Sequence, residues 1–381
     1  MLTPTFSIYK SSELLPKEWD SIAASTIFLQ SNYLKVLEIS APKNMTCHFI
    51  GVFKNQELVG VALSQFIDLN KVSSYGERDS NIKTAARKFV FKNFCSHVLF
   101  IGNNMLTGQN AFAHSNAISS TEMMQVLLQA AKALENQFKG EGTKVHLTVF
   151  KDFEANEATV LSKVLPDYYQ FSTQPNMVFD IPKEWETEDD YIKALSKKYR
   201  DQFKRARKKQ VEIQKRKLPL EEIQQRRKEI YSLYETVAQN APFNTFMLTE
   251  NHFETLKENL KDNFLFYGYF LNEKLIGFNT LIKNGSAMDT YFLGYDLSIQ
   301  KEKMLYLNML YDMVAYSIKK QFETIVFART ALEIKSSVGA KPVAMKGFIK
   351  HHFFAVNKCI GTIFKYLEPK TEWQERNPFK D

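Results

Sequence analysis

The sequence has no apolar run near the ~20 residues needed to cross a bilayer. Its opening stretch, Met1 to Trp19, lacks a basic start followed by an apolar core, so no secretory signal is expected and the cytoplasm is the natural compartment. Cysteine is scarce: Cys47, Cys95 and Cys359 lie too far apart for a disulfide framework or a zinc knuckle and read as buried or incidental thiols. No glycine-rich Rossmann or P-loop motif and no Ser/His/Asp arrangement appears. His351 and His352 are adjacent, so their side chains diverge, and no further ligand stands at a useful step; no metal is expected.

What is present is ordinary globular material in quantity. The chain has 381 residues, 44% apolar and 24% charged, enough for two cores, and its 31 Phe and 17 Tyr suit sheets with aromatic-lined clefts. The net charge of +8 is unevenly spread. Between Lys193 and Lys217 stand twelve Lys or Arg and only Asp201 and Glu212, a local +10, so the remainder of the chain is near neutral at −2.

A duplication organises the rest. Residues 49–60 (FIGVFKNQELVG) set over 266–277 (FYGYFLNEKLIG) match without a gap at six of twelve positions. Each copy reads strand, polar turn, strand. Further on, residues 127–138 and 307–318 have helical apolar spacing and lead into the strand-like runs 144–150 and 324–329. Each half therefore predicts a hairpin, a further strand, an amphipathic helix and a strand. The first half also carries an insertion over 71–112 containing an apolar strand that ends on Gly102-Asn103, and 177–181 predicts one more strand. The expected fold class is α/β (α+β), with two tandem domains over 1–175 and 176–381, each a mixed, mostly antiparallel sheet flanked by helices.

Residues 189–217 predict one helix, opened by acids and closed before Pro219, with Tyr191, Leu195, Tyr199, Phe203 and Ala206 as its packed stripe. Lys198, Arg200, Lys204, Arg205, Arg207, Lys208 and Lys209 fall largely off that stripe. They form either a solvated face or a site for phosphate, tRNA or an anionic membrane surface.

Chemistry concentrates near residues 288–342. The run Met288-Asp-Thr-Tyr-Phe-Leu-Gly-Tyr295 reads as a strand with Asp289 and Tyr291 on one face. After the strand 324–329, Arg329, Thr330, Glu333, Lys335 and Ser336 leave a strand end together, where α/β sheets place ligands. The basic Ser196-Lys-Lys-Tyr-Arg200, the hairpin ending in Leu275-Ile-Gly-Phe278, Tyr291-Phe-Leu-Gly294 and Arg329-Thr-x-x-Glu-x-Lys335-x-x-x-Gly339 together resemble the GNAT-type acyltransferases. Their tandem-domain branch, the Fem-like peptidoglycan aminoacyl ligases and BioF-like acetyltransferase domains, is the most similar. The resemblance covers about 189–339, and the first half fits as a worn copy. Ordinary members bind coenzyme A on a glycine-bearing loop; the matching Gln300-Lys-Glu-Lys-Met-Leu305 has no glycine.

The resemblance implies acyl transfer to an amine, with acyl-CoA, another acyl thioester, acyl-carrier protein or aminoacyl-tRNA as donor and a small-molecule, lipid or envelope-precursor amine as acceptor. It implies Lys335 as oxyanion stabiliser or substrate clamp. From the chemistry, Asp289 or Glu333 is the candidate base and Tyr291 or Tyr295 the candidate acid. Arg329 is a candidate bidentate anion holder, its alternative being an ion pair with Glu333. Thr330, Ser336 and Asn308 are further candidate donor-binding residues, with Lys198, Arg200, Lys204 and Arg205 on the basic face. A non-catalytic anion-binding protein is the competing reading. Residues 353–367 predict a segment packed on the second domain, with a membrane-surface role as the alternative, and 373–379 an ordered tail.

Overall fold

The computed structural model describes residues 3–71, 95–240, 244–367 and 373–380. Most of the expected insertion over 71–112 therefore lies outside the described residues. The chain divides into two units. The first comprises Met1–Thr173, Pro242–Thr249 and Ala344–Lys370; the second comprises Gln174–Ala241, Glu250–Val343 and Thr371–Asp381.

In the first unit the strands are β1 (Thr5–Tyr9), β2 (Met45–Lys54), β3 (Glu57–Asp68), β4 (His97–Ile101), β5 (Phe112–His114), β6 (Leu147–Glu154) and β7 (Tyr169–Ser172). The second unit holds β8 (Asn176–Asp180), β9 (Gln214–Lys217), β10 (Phe264–Leu271), β11 (Lys274–Asn284), β12 (Ala287–Tyr295), β13 (Thr324–Ala328) and β14 (Lys341–Val343). The last strand, β15 (Met345–His351), returns to the first unit, whose sheet runs β1-β2-β3-β4-β6-β15-β7 with β5 on β3. The second sheet runs β14-β8-β13-β12-β11-β10-β9. Pairing is antiparallel except at β4–β6 and β12–β13, one parallel pair in each sheet.

The duplication holds to the level of single contacts. The β2–β3 turn places Asn55 and Gln56 at φ 54° and 69°, and the β10–β11 turn places Asn272 and Glu273 at 48° and 61°. Positive φ at both central residues is the hairpin turn that follows strand twist, and Asn tolerates it best among non-glycines. Each hairpin then slips register at the same point, between Val52 and Phe53 and between Tyr269 and Phe270. Each also packs a glycine under a methionine of its crossing helix. A Cβ on Gly60 would lie 2.6 Å from Met123 Sδ, and one on Gly277 would lie 2.8 Å from Met309 Cε. Those helices, Ser120–Gly140 and Leu305–Lys319, connect the parallel strands of each unit, in the expected order of hairpin, strand, helix, strand.

The structure revises three expectations. Residues 344–370 do not belong with the second domain: β15 pairs β6 on one side and β7 on the other, and Phe348 sits in the first core. The helix Phe354–Leu367 follows β15 and packs on the same unit, with Phe364 against Tyr169 and Phe171 at 6.2 and 5.2 Å. Finally, residues 189–217 are not one helix. Two helices, Glu188–Ala194 and Lys197–Lys209, meet at an extended Leu195 that bridges to Phe379, and Gln214–Lys217 is the edge strand β9 on β10. The stripe Tyr191, Leu195, Tyr199, Phe203 and Ala206 is buried as expected.

A half-buried carboxylate ties the basic helix to the second sheet. Asp312, the one acid of the helix Leu305–Lys319, accepts from Arg207 Nη1 at 2.7 Å and from the Tyr269 hydroxyl at 2.9 Å, with Lys215 Nζ at 3.5 Å. Arg207 also donates to Glu188 at 2.6 Å. Burial works against the Arg207 charge, but Asp312 and Glu188 more than offset it and raise its pKa above the ordinary value.

On the other face of the second sheet, Gly294 of β12 lies under the helix Arg227–Gln239. A Cβ there would stand 2.6 Å from the main chain of Leu233 and Tyr234. Backbone cannot yield as a flexible side chain can, so Gly294→Ala is expected to cost ~2–3 kcal/mol in denaturant unfolding of the full chain. Gly140→Ala, with nothing within 4 Å of its added Cβ, should be neutral to slightly stabilising.

Candidate functional site

The site arises where two parallel strands part. Pairing of β12 with β13 covers only Ala287–Thr324, Met288–Ile325 and Asp289–Val326. Beyond that point β12 continues to Tyr295 on β11 alone, through a register slip between Asn279 and Leu281. Strand β13 instead turns out of the sheet. Ala328, Thr330 and Ala331 have φ of 59°, 68° and 47°, left-handed values that cost each non-glycine residue on the order of 1 kcal/mol. The short helix Leu332–Ser336 follows, then Gly339 at φ 110° beneath the ring of Phe379. Glycine is required there on both counts, which explains the last position of the Lys335-x-x-x-Gly339 pattern.

Lys335 is buried. Its Nζ donates to the carbonyl oxygens of Arg329 at 2.6 Å and Ala328 at 3.3 Å, and burial pulls its pKa from 10.5 down to about 7. Across the parting strands, Asp289 is buried on β12 and accepts from Asn284 Nδ2 at 3.1 Å; burial raises its pKa from 3.8 to about 7. Arg329, half-buried at the turn, is lowered to about 10 by desolvation. Thr330 is exposed beside it. Two residues along from Asp289, the Tyr291 hydroxyl lies 3.0 Å from His252 Nε2, with the two rings stacked at 5.9 Å. Asp289 is thus the last β12 residue paired with β13 and Tyr291 lies two residues beyond it, while Arg329, Thr330 and Lys335 follow the end of β13.

The remaining candidates have other surroundings. Glu333 is exposed and ion-paired with Arg376 of the C-terminal tail, not with Arg329. Ser336 donates to the Glu333 carbonyl at 2.9 Å and accepts from the Arg376 main chain at 3.0 Å, fastening that tail. The Tyr295 ring lies tilted against Tyr306, centroids 6.0 Å apart, and burial raises its pKa. Asn308 is fully buried; its Nδ2 donates to the carbonyls of Ala206, Lys303 and Met304, joining three helices end to side. Lys198, Lys204 and Arg205 are exposed, whereas Arg200 donates back to the Leu195 carbonyl at 3.1 Å and braces the break between the two helices.

At the stretch matching the coenzyme A loop, the helix Leu297–Lys303 runs directly into Leu305–Lys319 through a left-handed Met304 at φ 50°. Leu305 and Leu307, in the first turn of the second helix, are buried. His252 was not visible as a candidate, because it stands 39 residues from Tyr291 on a separate helix, with no spacing rule linking the two. Asp312 did carry a signal: one acid among the apolar residues 305–318.

A family model described as FemAB-like, peptidoglycan biosynthesis/recognition, matches residues 10–377. No curated protein sequence matches the chain. Among solved structures, FemX superposes with a TM-score of 0.55 at 12% identity, covering 95% of this chain and 100% of that one. A tandem GNAT protein from the clavulanic acid biosynthesis pathway gives 0.51 at 9% identity, covering 91% and 98%. A conserved protein of unknown function from Bacteroides thetaiotaomicron gives 0.52 at 12% identity, covering 91% and 99%. The fold is a tandem pair of GNAT-like units, as the sequence resemblance implies. Among the described residues, no helix is long and apolar enough to cross a membrane.

The two buried ionisable groups affect stability with opposite dependence on pH. Asp289 is held protonated in the fold, so its contribution is full below pH 3.8 and is lost as pH rises through about 7. Relative to the native chain, Asp289→Asn should therefore gain stability between pH 5 and pH 8, by at most about 4 kcal/mol in urea titrations. Lys335→Met should also gain on the native chain, but increasingly as pH falls from 10 towards 7, since the native lysine contributes above pH 10.5 and loses that contribution as pH falls through about 7.

Proposed function

Because the chain belongs to the FemAB-like family of peptidoglycan biosynthesis and recognition, we propose that it transfers an acyl or aminoacyl group from an activated donor to an amine, with the second unit carrying the chemistry. The observation that carries this reading is the parting of β12 and β13, beside which a carboxyl, Asp289, and an ammonium, Lys335, are buried, so that burial moves both pKa values towards about 7. Amide formation needs such a pair. The attacking amine must lose a proton, and Asp289 is the base proposed to take it. The carbonyl oxygen gains negative charge, and Lys335 with Arg329 is proposed to stabilise it. As the carbon–oxygen or carbon–sulfur bond to the donor breaks, the leaving atom takes a proton, for which the Tyr291 hydroxyl, held by His252, is the proposed source.

Aminoacyl-tRNA is the donor the surroundings favour. At Met304 there is no glycine, and buried leucines occupy the helix start where main-chain amides would otherwise cradle a pyrophosphate, which argues against acyl-CoA. The exposed cations Lys197, Lys198, Lys204, Arg205, Lys208 and Lys209 offer a face for a nucleic-acid backbone. The proposed acceptor is an amine of an envelope or lipid precursor. A carrier-bound acyl thioester is the alternative donor, and binding of RNA without amide formation is the non-catalytic alternative.

Two measurements test this. The native rate should rise with pH as Asp289 ionises and fall as Lys335 loses its proton, a narrow bell centred near pH 7. Asp289→Asn should remove the acidic limb, and Lys335→Met should lower kcat/KM by about 100-fold or more. If both variants keep native turnover, the site is wrongly assigned. For the donor, binding of bulk tRNA should weaken steeply with salt, and K204A/R205A should lower the slope of log K against log salt by about 2. Thermal stabilisation by acyl-CoA with no tRNA binding would instead make the donor a thioester.

A further inference from the structure

The first unit contains a cavity of about 320 Å³ that plays no part in the chemistry above. It lies at the start of β6 and the end of β15, between the helix Ser120–Gly140 and the segment before β7. Its lining includes the apolar Leu128, Val164 and Leu165 and the charged or polar Lys132, Lys350 and His352, with the acids Glu135 and Asp167.

The acids are not equivalent. Glu135 is nearly buried, with 11% of its side chain exposed. It accepts from Thr148 Oγ1 at 2.8 Å and pairs with His352 Nε2 at 3.1 Å, while Thr148 Oγ1 lies 2.9 Å from the same His352 nitrogen. Burial opposes the Glu135 charge, yet His352, Thr148 and Lys132 hold its carboxyl below the usual range. Its charge is thus already answered from within the fold. Asp167 is 72% exposed and meets Lys350 at 3.1 Å in a pair that solvent screens. Lys132 is 67% exposed. The two lysines can exchange these loose contacts for a ligand anion at little cost, whereas a ligand cation would find only Asp167 comparably loose, since Glu135 is already engaged. Lys350 also stands 5.6 Å from the centre of the Tyr168 ring, which offers a flat surface beside the charge.

We propose that this cavity is a second small-molecule site, for a ligand with a phosphate or carboxylate at one end and a ring or short apolar body at the other. Lys132 and Lys350 hold the anion, and Leu128, Leu165 and Tyr168 hold the body. The Thr148–Glu135–His352 cluster fixes the wall and keeps Glu135 from repelling the ligand. The site does not depend on the acyl-transfer reading, since all its residues lie in the first unit.

Calorimetric titration of the full chain with phenyl phosphate, benzoate and inorganic phosphate tests the proposal. Phenyl phosphate or benzoate should bind saturably, with Kd on the order of 1 mM. K132A/K350A should weaken that binding by about tenfold or more, and K204A/R205A on the basic helix should leave it unchanged. Both pairs are at the surface, so each variant should fold. Preference for phenyl phosphate over benzoate would assign a phosphorylated ligand, and the reverse a carboxylate. Absence of binding by both ring compounds, equal binding by K132A/K350A, or loss of binding in K204A/R205A would overturn the proposal.

Discussion

The second unit depends on one largely covered carboxylate, Asp312, 11% of whose side chain is exposed. Asp312 gathers Arg207 from the basic helix, Lys215 from the edge strand β9 and Tyr269 from β10. A lone cation on either neighbour would be costly to bury, and a lone carboxylate more so; together they satisfy one another's charges and hydrogen bonds. The arrangement fixes which cations are left over. Arg207 turns inward, while Lys204, Arg205, Lys208 and Lys209 remain in solvent as a compact positive face on a helix that cannot roll. A segment that reads in sequence as one long charged helix is in fact a rigidly mounted, shorter one.

A comparable economy governs the opening between β12 and β13. Three non-glycine residues there adopt left-handed conformations, and a lysine and an aspartate are buried without a carboxylate–ammonium partner of their own in that opening. Such features persist only when the surroundings over-determine them. The C-terminal tail supplies much of that support. Arg376 reaches Glu333 and Ser336, Phe379 stacks on Phe179 at 5.8 Å, and the Ser196 main chain donates to the Pro378 carbonyl at 2.8 Å. The residues that hold the short helix bearing Lys335 thus come from the far end of the chain.

Legibility in the sequence followed the range of the forces involved. The hairpins, their turns and the crossing helices are local, and the repeated Asn turns and glycines betray them because few other residues satisfy those backbone angles and close approaches. Asp289 and Tyr291 could be read as sharing a strand face, and Arg329 and Lys335 as following a strand end, because both readings need only local sequence. Partners fixed only by tertiary packing were invisible: His252 against Tyr291, Arg376 against Glu333, and the return of β15 to the first sheet. The break at Leu195 was hidden too, since helix propensity continues through it and a tail residue, Phe379, decides the matter.

The strand order has a bearing on how the chain is made. The strand after β7 enters the second sheet as β8, and the strand after β14 enters the first as β15. A ribosome releasing this chain from its N-terminus exposes β6 and β7 long before the strand that belongs between them exists. Phe150 and Phe153, which pack with Phe348 in the finished core, wait through some two hundred residues of synthesis. The first sheet can therefore close only after β15 has been made, and until then β6 and β7 present unpaired edges to one another across the gap it will fill.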